Sequence, residues 1–135
     1  MWISDTYNDD LPYYQLLPKA LSEQYPGETL LMLPYSLDAN DFKYMMPNSW
    51  GSTDAFYNYL KDAFDELYAE GKDGAPKMMS IGLHARISGR PGRIGAVRKF
   101  VDYVQSKSDV WVATREEIAR HWMTEHPYQA TGHTS

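Results

Sequence analysis

The stretch MSIGLHARISGRPGR, residues 79–93, ends an apolar run on a histidine and continues into a cationic loop. A histidine such as His84 can protonate a leaving group or polarise a carbonyl near neutral pH. The planar guanidinium groups of Arg86, Arg90 and Arg93 can hold a carboxylate, a ureide or a similar planar group. The alternatives are a histidine bonded to a backbone carbonyl and solvated arginines in a Gly-Pro loop. His84 is the candidate catalytic residue.

Polar residues also follow two apolar runs earlier in the chain. One group follows Trp2 and Ile3, and a second group, which includes Asp41, follows the run at 30–33. Because ligands bind at the carboxyl ends of strands in parallel α/β folds, we expect both groups to share one concave site with His84. The aspartates of the first group can supply a general base or can form Asx turns. The candidate substrate-binding residues are Asp5, Asn8, Asp9, Tyr35, Asp38, Asn40, Arg86 and Arg90.

Apolar runs predict the strands that position these residues. Trp2 and Ile3 are typical of the end of a strand, and the continuous run at 29–34 is typical of a strand buried on both faces. Residues 78–84 and 110–113 predict two further strands. We expect the strands to be parallel and each to be followed by a helix, which is the α/β class.

Periodic apolar residues predict the helices between these strands. The clearest pattern covers residues 52–71, where Ser-Thr-Asp supplies a cap and Gly71 an end. Residues 92–106 carry a second apolar stripe, and residues 13–24 predict a short helix. Thr114, followed three residues later by a glutamate, predicts a capping box at the start of the last helix.

Composition limits the classes of function. The net charge of −5 argues against nucleic acid as a partner, and no apolar run is long enough to cross a membrane. There is no cysteine and no leader-like start, so we expect a soluble cytoplasmic protein without Cys-ligated metal. The histidines lack the short spacing typical of metal ligands: His84, His121, His126 and His133. We expect no cofactor, a small-molecule substrate, and either a single chain or a homo-oligomer.

Several segments together resemble the C-terminal half of the polysaccharide deacetylase (NodB-homology) family, with the closer likeness to its uricase-linked allantoinase branch. The resemblance covers residues 2–122, and its segments are SDTYNDDLPYY, LPYSLDANDFKY, YLKDAFDELYAEG, KMMSIGLHARISGRPGRIGAVRKFVDYV and VWVATREEIARHW. It implies the C-terminal half of an incomplete (β/α) barrel of the glycoside hydrolase/deacetylase type. We accordingly expect residues 1–123 to form part of such a domain and residues 124–135 to form a flexible tail.

The resemblance also implies roles for particular residues. His84, in Gly82-Leu83-His84, falls on the histidine of the family's last motif, which acts as a general acid. SDTYNDD falls on the fourth motif region, which lines the substrate pocket. The family's first motif with its catalytic aspartate, its His-x-x-x-His metal pair and its Arg-x-Pro motif have no counterpart in these 135 residues.

The expected activity is hydrolysis of a non-peptide C–N bond, with allantoin converted to allantoate. The first alternative is a fragment of a chitin-type polysaccharide N-deacetylase, and the second is a truncated remnant that binds a ligand without turnover. The missing motifs favour the remnant for the isolated chain, whereas the pocket motifs favour an enzyme for a longer chain that contains them.

Overall fold

The computed structural model describes residues 1–129, which divide into two compact units. The first unit contains residues 1–34 together with the chain from 112 onward, and the second contains residues 35–111. The secondary structure is mixed α and β. None of the helices formed by residues 1–129 has the length and apolar content needed to span a membrane.

A three-stranded sheet organises the first unit. Its strands are β1 (Trp2–Ile3), β2 (Tyr13–Leu16) and β3 (Thr29–Met32), in the order β1-β3-β2. β1 pairs with β3 in parallel, with Trp2 opposite Leu31, whereas β2 pairs with β3 in the antiparallel sense. The expectation that the run at 29–34 forms a strand parallel to the N-terminal strand is therefore confirmed.

The short helix predicted at residues 13–24 is wrong for most of its length. Tyr13–Leu16 forms β2 instead, and only Lys19–Ser22 is helical, as α1. Pro18 is the N-cap residue of α1 with extended backbone angles, and a proline disfavours helical conformation in the residue before it. The proline restricts Leu17 alone, and Tyr13–Leu16 is extended because its residues pair with β3.

The last helix, α4 (Arg115–Glu125), packs on the apolar residues at the end of β3. The predicted capping box is confirmed, because the Thr114 side chain accepts from the Glu117 N–H and the Glu117 carboxylate accepts from the Thr114 N–H. Leu31, Leu33 and Ala119 form the buried centre of this unit. Residues 124 and 125 belong to α4, residues 130–135 lie outside the described part of the chain, and the flexible tail stays a prediction.

Two helices in contact with each other, α2 (Thr53–Lys72) and α3 (Ile94–Gln105), form the framework of the second unit. The predicted stripe of α2 is confirmed, because Phe56, Leu60 and Phe64 are buried against Phe100 and Ala96 of α3. Ser52 caps α2 by accepting from the Ala55 N–H.

The predicted end of α2 at Gly71 is wrong by a short distance. The helix continues to Lys72, and Asp73 is its C-cap residue. Gly74 then adopts φ = +93°, the left-handed conformation that glycine adopts without steric cost. The chain leaves the helix through that residue.

The predicted strands at 78–84 and 110–113 are wrong as ladder strands. Among the described residues, the segment 78–84 makes one isolated parallel bridge, between Gly82 and Asn40, and residues 110–113 form no strand. Apolar composition predicted that these segments approach the core, and Met79, Ile81 and Val110 do pack against it. A strand also requires a neighbouring backbone segment for hydrogen bonding, and apolar composition does not show whether one is present.

We expect Leu60→Ala to lower the free energy of unfolding by about 2–5 kcal/mol, because Leu60 is 1% exposed and its removal leaves a cavity between α2 and α3. Leu37→Ala is the matched control, since Leu37 in the same unit is 58% exposed, and its effect should stay within about 0.5 kcal/mol. Urea unfolding followed by circular dichroism measures both. Equal effects of the two substitutions would contradict the assignment of Leu60 to the core.

Candidate functional site

A short parallel pairing of backbone brings two segments of the second unit together. Asn40 pairs with Gly82: the Gly82 N–H donates to Ala39 O at 2.9 Å, and the Asp41 N–H donates to Gly82 O at 2.9 Å. Asn40 also caps the 3₁₀ helix Asp41–Met45, because its Oδ1 accepts from the Phe42 N–H at 2.9 Å. Asp41 is thereby held at the start of a helix that faces the segment carrying His84.

Gly82 is required for this pairing because the Asn40 side chain lies directly against it. A Cβ atom at position 82 would lie 2.3 Å from Asn40 Nδ2 and 2.6 Å from Asn40 Cγ. Both distances are far shorter than van der Waals contact, so a larger residue would force the Asn40 side chain, or one of the two segments, to move. The glycine that precedes His84 by two positions therefore has a steric function.

Asp41 and His84 form a close side-chain pair. His84 Nδ1 lies 2.6 Å from Asp41 Oδ1, and the His84 backbone N–H donates to Asp41 Oδ2 at 2.8 Å. The Ser88 backbone N–H donates to the same Oδ2 at 3.1 Å. Asp41 is completely buried, whereas the His84 side chain is 51% exposed. The pair thus joins a carboxylate that water does not reach to an imidazole that a ligand can reach.

The contacts of Asp41 determine which nitrogen of His84 carries a proton. An ionised carboxylate only accepts hydrogen bonds, so Nδ1 must be the donor to Oδ1. Nε2 is then the ring nitrogen that can release or take up a proton during a reaction. The arrangement supplies a general acid or base with a fixed ring orientation.

The pKa of Asp41 lies below the ordinary value of an aspartate. Burial alone would raise the pKa of this carboxyl group, but hydrogen bonds from His84 and Ser88 outweigh it by stabilising the charged form. Asp41 therefore remains an anion at neutral pH.

Asp38 and Tyr35 lie on the loop that leads to Asp41. Asp38 accepts hydrogen bonds from the Ser36 hydroxyl and, at 2.6 Å, from the Tyr59 hydroxyl of α2. Burial raises the pKa of Asp38, but these hydrogen bonds outweigh burial, so the pKa of Asp38 lies below its ordinary value. The hydrogen bond to Asp38 also raises the pKa of Tyr59 to about 12. Tyr35 is half-buried. Asp38 thus anchors the loop to α2, and substrate binding by both residues stays a prediction.

The three arginines of the loop differ in their contacts. The guanidinium group of Arg93 lies 4.8 Å from the ring centroid of Tyr44, in a cation–π contact. Arg86 and Arg90 are exposed and make no side-chain hydrogen bond or ion pair with residues 1–129. The backbone between them and His84 is a tight turn, because the Ile87 and Ser88 N–H groups both donate to His84 O. Arg86 and Arg90 remain the candidates for binding an anionic or ureide group.

The residues predicted from the N-terminal cluster belong to the first unit. Asp9 Oδ1 accepts from the Asp10 N–H at 2.7 Å and the Leu11 N–H at 3.3 Å, which is the Asx-turn alternative. The Asn8 N–H donates to Thr6 Oγ1 at 3.3 Å, and Asp5 is exposed. A site that combines these residues with His84 stays a prediction.

Asp41 is the residue that sequence reasoning undervalued. It belongs to the second polar cluster, but the candidate substrate-binding residues included its neighbours Asp38 and Asn40 instead. The available signal was the asparagine before it, since an Asn cap fixes the direction of the residues that follow. No sequence pattern states which of two nearby aspartates is buried.

Residues 1–129 contain no group of three or more His, Asp, Glu or Cys side chains arranged to hold a metal ion. His121 lies within α4 and His126 directly after it, and His133 falls outside the described residues. The described side chains alone do not form a metal site.

Comparison with known proteins gives the class of fold. No protein-family model matches the chain. Over 131 residues, the chain is 50% identical to a protein of Schizosaccharomyces pombe (strain 972 / ATCC 24843) that is named as a polysaccharide deacetylase. The chain is also similar to the crystal structure of a probable polysaccharide deacetylase from Pseudomonas aeruginosa PAO1, with 48% identity and a TM-score of 0.84. It therefore has a polysaccharide deacetylase-like fold, and the resemblance to the polysaccharide deacetylase family that was inferred from sequence is confirmed.

A second solved structure is similar to the same degree. The crystal structure of Puue allantoinase shares 46% identity and a TM-score of 0.85, and a polysaccharide deacetylase-type structure from Mycobacterium smegmatis shares 27% and 0.67. These matches cover 95% and 92% of this chain but 40% and 41% of those chains. The Pseudomonas match likewise covers 95% of this chain and 40% of that one. The match to the Schizosaccharomyces pombe protein covers 94% of this chain, and the chain spans 40% of the length of that protein.

We expect Gly82→Ala to lower the free energy of unfolding by about 1–3 kcal/mol, because the new methyl group would overlap the Asn40 side chain. Gly92→Ala is the matched control from the same loop, since nothing lies within 4 Å of a Cβ at that position. Urea unfolding gives the energies, and the amide signals of Asp41 and His84 in an NMR spectrum report the local change. Similar spectra and stabilities for both variants would contradict the close approach.

The lowered pKa of Asp41 makes the stability of the chain pH-dependent. A carboxylate with a depressed native pKa adds stability above its unfolded pKa of about 3.9, and that stability is lost as the pH falls through the native pKa. We expect Asp41→Asn to be less stable than the native chain at pH 7, with a difference that shrinks as the pH is lowered below about 4. Urea unfolding at a series of pH values measures this difference, and a constant difference would contradict the assignment.

Proposed function

We propose that this sequence is the C-terminal part of an allantoinase-like amidohydrolase, which hydrolyses a C–N bond other than a peptide bond. The Asp41–His84 pair carries this proposal, because C–N hydrolysis requires a proton donor for the departing nitrogen. The similarity to Puue allantoinase supports the same substrate class. An incomplete (β/α) barrel, of which these residues form the C-terminal half, is part of the proposal.

The proposed reaction assigns a proton transfer to each end of the bond. Water adds to the ring carbonyl carbon of allantoin and gives a proton to a carboxylate base. That base corresponds to the family's first motif, which these 135 residues do not contain. The C–N bond then breaks, and the nitrogen takes the proton that His84 carries on Nε2. Asp41 holds Nδ1–H throughout, so it stabilises the imidazolium form before the transfer.

The cationic loop is proposed to orient the substrate. Arg86 and Arg90 are exposed next to the turn that begins at His84, and their guanidinium groups suit a planar ureide. Tyr35 and Asn40 are proposed to contact substrate from the segment that carries Asp41. The remaining proposed contacts come from residues that follow other strands or lie on the same loop: Asp5, Asn8, Asp9 and Asp38.

The second candidate function is N-deacetylation of a polysaccharide. The names of the Schizosaccharomyces pombe and Pseudomonas aeruginosa proteins favour it. His84 and Asp41 would serve both reactions, because each one needs a proton for a departing nitrogen. The two candidates differ in the group that must fit beside His84, a charged or ureide-bearing ring in one and an N-acetylated sugar in the other. In either case we propose a cytoplasmic enzyme acting without a nucleic-acid or membrane partner.

We expect His84→Ala to lower kcat for allantoin by about 10²- to 10⁴-fold in a longer protein that carries this sequence and the first motif, because the departing nitrogen loses its proton donor. His121→Ala is the matched histidine control, since His121 lies on α4 and is exposed. Formation of allantoate measures both rates, and the 135-residue chain should produce none.

The outcomes separate the candidates. Normal turnover by the His84→Ala variant would remove His84 from the mechanism. Release of acetate from N-acetylated sugar oligomers, with allantoin left intact, would support the deacetylase instead. Allantoate formed by the 135-residue chain would contradict the need for a base outside it.

A further inference from the structure

Ser88 lies beside the Asp41–His84 pair and is almost completely buried. Its residue exposure is 3%, and its backbone N–H already donates to Asp41 Oδ2. The Ser88 hydroxyl makes no aligned hydrogen bond with residues 1–129, although it is close enough to contribute to the lowered pKa of Asp41. A buried hydroxyl without a partner costs free energy, so its position beside a carboxylate calls for a physical explanation.

The Asp41 carboxylate has capacity for one more donor. Its two oxygens offer about four lone-pair positions. Oδ2 accepts from the backbone N–H groups of His84 and Ser88, and Oδ1 faces His84 Nδ1. The Ser88 hydroxyl is not aligned with the carboxylate, so donation requires the side chain to turn towards it, after which the hydroxyl hydrogen is free to orient.

We propose that Ser88 is a positioning residue whose hydroxyl donates to the Asp41 carboxylate and thereby holds His84 in its proton-donating orientation. This inference rests on the proposed role of His84 as the general acid. Ser88 does not contact the substrate in this arrangement; it acts through Asp41. The turn that begins at His84 returns the chain to the carboxylate, so one loop supplies the acid and its support.

Two titratable side chains lie near the Asp41 carboxylate, those of His84 and Tyr44. His84 contacts Oδ1 directly. Burial raises the pKa of Tyr44, the charge of Arg93 lowers it, and the charge of Asp41 raises it again, so Tyr44 also senses the carboxylate. Loss of the Ser88 hydroxyl removes a donor from the charged form of Asp41, and the carboxyl group then takes up a proton at a higher pH.

The test is a titration of the Asp41 carboxyl carbon by NMR in this 135-residue chain. We expect Ser88→Ala to raise the midpoint by about one pH unit, the scale of a hydrogen bond to a charged group. Ser88→Thr keeps the hydroxyl and should restore the native midpoint. Ser106→Ala is the matched control, because the Ser106 hydroxyl is exposed and donates only to Tyr103 O.

An unchanged midpoint in Ser88→Ala, or an equal shift in Ser88→Thr, would overturn the proposal. If Ser88→Ala loses its dispersed amide spectrum, Ser88→Cys gives the answer, because a thiol is a weaker donor and should shift the midpoint in the same direction by less. Normal turnover by His84→Ala would contradict the proposed function, whereas the Ser88 titrations are measured in chains that keep His84 and do not depend on that result. The two ideas can therefore fail separately.

Discussion

A carboxylate removed from water must receive hydrogen bonds, and Asp41 receives them from a segment more than forty positions further along the chain. Three of these contacts come from a single turn, through the backbone and ring of His84 and the backbone of Ser88. Removing any one of them would leave a buried charge under-compensated, which is among the costlier defects in a protein. The fold of residues 35–111 is organised so that this turn and this carboxylate meet.

The helices were predictable because their signals are local. The apolar stripe of α2 and the capping box of α4 each lie within a few residues, and both are present in the structure. Local signals fail where a second segment decides the outcome. Tyr13–Leu16 belongs to a segment whose apolar spacing predicts a helix. It forms a strand instead because its backbone pairs with β3.

The site was predictable only in part, for the same reason. The sequence indicated His84 through its place at the end of an apolar run, and it indicated a polar cluster near Asp41. The contact between them depends on the approach of Asn40 to Gly82, which is a property of two segments and not of either one. The two aspartates also differ in burial although they are nearly adjacent in sequence. Asp41 is buried, whereas Asp38 is exposed and accepts a hydrogen bond from Tyr59 of α2.

The close approach at Gly82 has a consequence for protein engineering. The histidine of this site is not a portable module, because its ring is fixed by a carboxylate on another segment and that segment docks against a bare glycine backbone. A designer who transplants the site into a different scaffold must move residues 39–42 and 82–88 as one unit with their mutual register intact. Libraries that randomise position 82 place every new side chain against Asn40, so the register of the two segments must be preserved before position 84 is varied.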